Sequence, residues 1–203
     1  VQEIILERIH RLPTAARDYG RAIEAQPYNI EARLARAAIQ FDLGRDADAW
    51  TDIDFLARNA PSDPRGAYLR AQYFARQGKP AEARAALREA TQTLDQLSPE
   101  YVAASDQLQL LGGLAHHALG EYERAKTYLR TYLERRPSEA GARKLMGSIY
   151  LAERQYDRAI AMLQPALRAF PNDARVKSML GAAYMGQGNH GKAALLFQEA
   201  AQT

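Results

Sequence analysis

Residues 174–203 read ARVKSMLGAAYMGQGNHGKAALLFQEAAQT. Two apolar stretches flank the turn Gln187-Gly188-Asn189, so the segment is a helix, a turn and a second helix. Moving upstream by 34 residues repeats the pattern: Gly181 has Gly147 and Gly113 behind it, and Ala193 has Ala159 and Ala125. A second series carries the same step, Ala15, Ala49 and Ala83, with Gly44 and Gly78, and with Pro27 and Pro61. One step of 42 joins the series (Ala83 to Ala125, Gly78 to Gly120), which is 34 plus eight inserted residues. Self-similarity at a fixed period means stacked copies of one supersecondary unit.

Each unit reads as two helices. Leu145, Ile149 and Tyr150, and then Ile160, Leu163 and Leu167, recur at the spacing of one helical face. Turn residues separate them at 43–45, 77–80, 119–121 and 187–189, and Asp63-Pro64 and Ser98-Pro99 read as helix caps. No stretch alternates with period two long enough for a strand. Small residues (Ala37, Ala71, Gly113, Gly147 and Gly181 in first helices, the alanine series in second helices) mark close helix crossings. In the insertion, Thr91–Leu97 is expected to continue the helix begun at Pro80. Ser98-Pro99 is expected to open a helix running to about Ala118.

Composition excludes much. The chain of 203 residues has no cysteine, hence no disulfide framework, thiolate zinc site or Cys nucleophile. Net charge is +3 and the 27 Lys+Arg are dispersed, which argues against a nucleic-acid arm. No apolar run is long enough to span a membrane. The opening VQEIILERIH is not a signal peptide, and Val1 at the start reads as a piece cut from a longer protein.

Several apparent motifs carry no chemistry. Gly186 to Ala193 matches both G-x-G-x-x-G and G-x-x-x-x-G-K, but a helix rather than a strand precedes it, and Ala193 replaces the Ser or Thr that Mg²⁺ needs. His116 and His117 are adjacent and point about 100° apart on a helix, so they cannot share a metal. Surface or groove positions are expected for His10, His116, His117 and His190. Asp52 and Asp54 face different sides of one helix, which disfavours a catalytic carboxylate pair. No catalytic residue, cofactor site or metal site is expected.

The consensus-like run Leu180-Gly181-Ala182-Ala183-Tyr184, Gly188, Ala193, Phe197, Ala200, and its counterpart Met146-Gly147, Tyr150, Ala159, Leu163, Ala166, Pro171, resembles the tetratricopeptide repeat (TPR). The units at 30–63 and 64–97 fit less well, since Arg36 and Arg70 stand where an apolar residue is usual. The resemblance implies an all-α fold, a right-handed α-solenoid (a TPR superhelix) of antiparallel helix pairs. The whole chain, 1–203, is then a single solenoid fragment of about six units: 1–29, 30–63, 64–105, 106–139, 140–173 and 174–203.

It also implies a non-catalytic scaffold that holds a protein or extended peptide in a groove lined by the first helices. Mapped residue by residue, the second unit gives Glu31, Leu34, Ala38, Phe41 and Asp42, and the third Arg65, Tyr68, Gln72, Ala75 and Arg76. The fourth gives Gln107, Leu110, Leu114, His117 and Ala118, and the fifth Gly141, Lys144, Ser148, Leu151 and Ala152. The sixth gives Arg175, Ser178, Ala182, Met185 and Gly186. The principal partner-binding candidates are Arg65, Tyr68, Gln72, Arg76, Leu110, Leu114, His117, Lys144, Ser148, Arg175 and Met185. Four of these are cations and none is an acid, so an acidic partner segment is expected. No asparagine occupies a first helix, which disfavours the chaperone-binding carboxylate clamp.

Segments such as Asp63-Pro64-Arg65-Gly66-Ala67-Tyr68 and Leu163-Gln164-Pro165-Ala166-Leu167 are similar to the TPR protein of the bacterial PEP-CTERM/exosortase sorting system. Scaffolds of cellulose- and alginate-type exopolysaccharide secretion compete with that reading. Either implies a periplasmic or cell-envelope place. The alternative is a cytoplasmic regulatory module attached to a catalytic domain outside this fragment. Exposed terminal repeats are expected to permit self-association.

Overall fold

The computed structural model describes residues 2–202, and side chains from Arg11 onward. His10, expected at a surface, therefore lies outside the described side chains. Among the described residues there are twelve helices and no strand. The chain divides into two compact units, one ending at Ser98 and one beginning at Pro99.

The first unit contains α1 (Gln2–Ala25), α2 (Ile30–Asp42), α3 (Asp46–Asn59), α4 (Pro64–Arg76) and α5 (Pro80–Asp95). Side chains fix where α2 and α4 start. Asn29 accepts a hydrogen bond from the Ala32 amide at 2.9 Å, and Asp63 from the Arg65 amide at 3.0 Å, ahead of Pro64 at the first helical position. Leu34, Ala37 and Phe41 of α2 pack with Ala49, Ile53 and Leu56 of α3 and with Leu69 of α4, and Trp50 lies 4.5 Å from the Tyr73 ring. Arg36 and Arg70, which break the apolar pattern, are used in ion pairs to Asp52 and Glu89 of the following helices.

The second unit contains α6 (Pro99–Ala104), α7 (Asp106–Leu119), α8 (Tyr122–Arg135), α9 (Ala140–Ala152), α10 (Tyr156–Ala169), α11 (Ala174–Gly186) and α12 (His190–Ala201). Its core runs through Leu129, Tyr132, Met146 and Ile149, then through Leu163, Ala166, Val176 and Leu180. The small residues mark close approach. A Cβ on Gly147 would come within 2.7 Å of Leu163, and one on Gly181 within 2.8 Å of Phe197. Ala125, Ala159 and Ala193 are fully buried.

The insertion departs from expectation in two respects. Helix α5 ends at Asp95, two residues short of Leu97, and the helix that opens at Pro99 closes at Ala104 instead of running on. Ser105 adopts an extended backbone (φ −102°, ψ 109°) and its hydroxyl accepts from the Leu108 amide at 3.3 Å. A serine that can cap the next helix competes with continuing the previous one, and here the cap wins.

Candidate functional site

In the second unit, α7, α9 and α11 present their first-helix faces to one another. Leu110 and Leu114 of α7, Gly141, Lys144, Leu145 and Ser148 of α9, and Arg175 of α11 line an open cavity of about 280 Å³. Glu139 and Ala142 complete it. Helical spacing places Leu110 with Leu114, and Lys144 with Ser148, one turn apart on a single face each. His117 continues the α7 row: its Nε2 lies 2.8 Å from Ser148 Oγ. Met185 is exposed and does not line this cavity; its sulfur is 3.2 Å from His190 Nδ1. Glu139 and Leu145 were not among the mapped groove positions. Glu139 precedes the first residue of α9 and Leu145 follows Lys144, so a rule that reads only repeating face positions passes over both.

In the first unit, Ala38, Phe41 and Asp42 of α2 and Gln72, Ala75 and Arg76 of α4 line a second open cavity of about 450 Å³. Arg65 and Tyr68 stand outside its lining on the same helix. Tyr68 is half-buried, and burial pushes its phenol above the usual range against the opposing hydrogen bond with Gln72.

Electrostatics correct the simplest sequence reading, which counted four cations against no acid. Arg65 binds Glu31 at 2.6 Å and Asp63 at 2.7 Å, chiefly the Asp63 hydrogen bond raising its pKa against the cost of burial. Arg76 binds Asp46 at 2.7 Å, and Lys144 binds Asp173 at 2.9 Å. Asp63, Asp46 and Asp173 sit in inter-helix turns or first turns, not on the mapped face, so the count missed them. Arg175 has no ion pair among the described residues.

The histidines also separate. His117 is half-buried and bonded to the lining residue Ser148 without itself lining the cavity, and His116 is buried, contrary to the surface or groove position expected of it. One residue step turns it toward α8, where it stacks on Tyr128 with ring centroids 5.4 Å apart and its Nδ1 lies 2.7 Å from Glu121. Asp52 and Asp54 do part, Asp52 fully buried and Asp54 half-buried beside Arg58. Gly186 to Ala193 is the turn between α11 and α12: Gly188 has φ 78°, Asn189 caps Lys192, and a Cβ on Gly186 would strike Tyr156. Among the described residues no group of three or more His, Asp or Glu is placed to hold a metal, and no helix is long and apolar enough to cross a membrane.

Comparison with known proteins agrees with this architecture. A tetratricopeptide-repeat family model matches residues 116–183 and 150–203, and a second model of the same repeat matches 51–99. No curated protein sequence matches. Among solved structures, the chain is 18% identical to YrrB, described as a TPR protein with an unusual peptide-binding site. That match covers 92% of each chain with a TM-score of 0.60. MamA from Desulfovibrio magneticus RS-1 is 18% identical over 85% of this chain and 93% of its own, TM-score 0.59. A tetratricopeptide repeat protein from Parabacteroides merdae is 18% identical over 98% of this chain and 75% of its own, TM-score 0.57. These likenesses concern the fold. On its repeats, its paired helices and these matches, the chain belongs to the tetratricopeptide-repeat family.

Proposed function

We propose that the protein is a non-catalytic interaction scaffold, and that its α7–α9–α11 groove holds an extended acidic segment of a partner protein. The observation that carries this reading is the open cavity, where Leu110, Leu114 and Leu145 stand with Glu139 and with an Arg175 that makes no ion pair among the described residues. Leucines supply apolar contact, and a guanidinium without an ion-pair partner supplies the preference for a carboxylate.

The scaffold's place, in this reading, is a bacterial envelope, serving exopolysaccharide assembly or PEP-CTERM protein sorting. The local sequence resemblance and the arginine-rich cation set (22 Arg, 5 Lys) support it. The alternative is a cytoplasmic regulatory module attached to a catalytic domain.

A photo-crosslinking amino acid at Leu114 tests the groove in cells. It should capture a partner that the same amino acid at Arg130, exposed on α8, does not, and Arg175→Glu should weaken that capture. Equal capture from both positions would refute the groove assignment.

A further inference from the structure

The hydrogen bonds around His117 decide which ring nitrogen carries the proton. Ser148 Oγ donates its one hydrogen to the Leu145 carbonyl at 2.7 Å. Toward His117 Nε2, 2.8 Å away, that oxygen is left only as an acceptor. Nε2 therefore holds the hydrogen in the neutral ring, and Nδ1 holds the free lone pair. Protonation adds an N–H at Nδ1 and leaves the Nε2–Ser148 bond between α7 and α9 in place. The ring can gain charge without breaking the contact that positions it.

Its surroundings oppose that charge. From α8, the Tyr122 ring centroid lies 5.9 Å away. From α9 come Ser148 and, one turn earlier, Lys144, already tied to Asp173. From α11 comes the positive charge of Arg175. On α7 itself, His116 is turned to α8 and bonded to Glu121. Glu139 is the acid that lines the cavity. Burial first, and Arg175 second, hold the imidazole below its ordinary value.

We propose that His117 makes the groove acid-responsive: a partner carboxylate seated against Arg175 binds more tightly when the neighbouring imidazole is protonated. This rests on the acidic-partner reading above. The logic is reciprocal linkage. A bound carboxylate offsets the repulsion from Arg175 and stabilises the imidazolium, so the imidazolium must strengthen carboxylate binding by the same factor. The sign follows: affinity rises as pH falls through the imidazole range, while ordinary carboxylates stay ionised down to about pH 5.

The test uses a fluorescein-labelled, N-acetylated, C-amidated peptide of four Glu-Leu repeats, with the Gln-Leu peptide as uncharged control. Affinities are measured at about pH 8 and about pH 5.5 at constant ionic strength, where imidazole but not carboxylate changes charge. The wild type should bind the Glu-Leu peptide more tightly at the lower pH, by up to about three- to ten-fold, the limiting factor for a pKa rise of about half to one unit. His117→Gln, whose amide can still donate to Ser148, should lose that gain and bind the Glu-Leu peptide equally at both pH values. In the free protein, NMR titration of the His117 ring should show its midpoint rising in Arg175→Gln. Binding that Arg175→Gln abolishes but pH does not alter overturns the proposal and leaves the acidic-partner reading standing. A pH response retained in His117→Gln, or an Arg175→Gln midpoint that does not move, also overturns it. No binding of the Glu-Leu peptide at either pH overturns both.

Discussion

Arg154 and Gly188 occupy the same left-handed position in turns 34 residues apart, with φ of 57° and 78°. Gly44, Gly78 and Gly120 fill that position in the other units, at φ 70°, 69° and 80°. A side chain there brings Cβ against the following carbonyl, at about 1–2 kcal/mol. Arg154 is exposed, so nothing it packs against offsets that strain.

Arg154→Gly should therefore stabilise the protein. Strain relief of about 1–2 kcal/mol exceeds the added entropy of an unfolded glycine, about 0.4–1 kcal/mol, leaving a net gain of roughly 0.5–1 kcal/mol. Urea unfolding should show a higher midpoint at unchanged slope. An unchanged or lower midpoint would mean the strain is already relieved locally.

Two glycines on α9 should respond oppositely to the same substitution. Gly147→Ala puts a methyl 2.7 Å from Leu163 in the buried crossing with α10, and should cost about 1–3 kcal/mol. Gly141→Ala meets nothing within 4 Å near the helix start, and should be neutral or gain up to about 1 kcal/mol of helix propensity. Ala159→Leu, at the fully buried counterpart on α10, should cost about the same as Gly147→Ala. Thermal unfolding of the three variants checks the order.

Asp52 is fully buried on α3 and accepts from Arg33 Nη1 at 2.9 Å and from Arg36 Nε and Nη2 at 2.7 and 2.8 Å. Asp52→Ala should destabilise by about 3–5 kcal/mol, because it strands two guanidinium groups that are themselves mostly covered. Adding Arg33→Met to that variant should recover part of the loss. A double-mutant cycle in which the two costs simply add would show that the pair is not coupled.

Acid should weaken the second unit through Asp173. Burial pushes this carboxyl up, but Lys144 and the Val176 and Arg175 amides outweigh it, and its pKa lies below the ordinary value. A carboxyl depressed in the folded state contributes stability that is present above its unfolded pKa, near 3.9, and is lost as pH falls through the folded value. Asp173→Asn should therefore be less stable than the wild type at neutral pH, with a smaller loss on acidification below about pH 4. Parallel stability–pH curves for the two proteins would refute the depression.

The spacing of Ala125, Ala159 and Ala193 gave the repeat, and a Cβ larger than a methyl would not fit where those helices cross. The false phosphate motif at 186–193 was dismissed because a helix precedes it, and the structure makes it the α11–α12 turn. Lys144, Ser148, Leu110 and Leu114 were placed in a groove by the resemblance to the tetratricopeptide repeat, and all four line one open cavity.

By itself, then, the sequence determined the period, the helices and the face each helix turns to its neighbours, because these follow from local geometry repeated every 34 residues. The tertiary structure alone decided which charges remain. Lys144 meets Asp173 and Arg76 meets Asp46 across 29 and 30 residues, through helix crossings that no single-helix periodicity encodes. The same holds for His116: its exclusion from the groove depends on where α8 lies, as does the burial of its ring against Tyr128. Face assignment needs only the rise and turn of one helix, whereas charge balance in a groove needs the register of its neighbours.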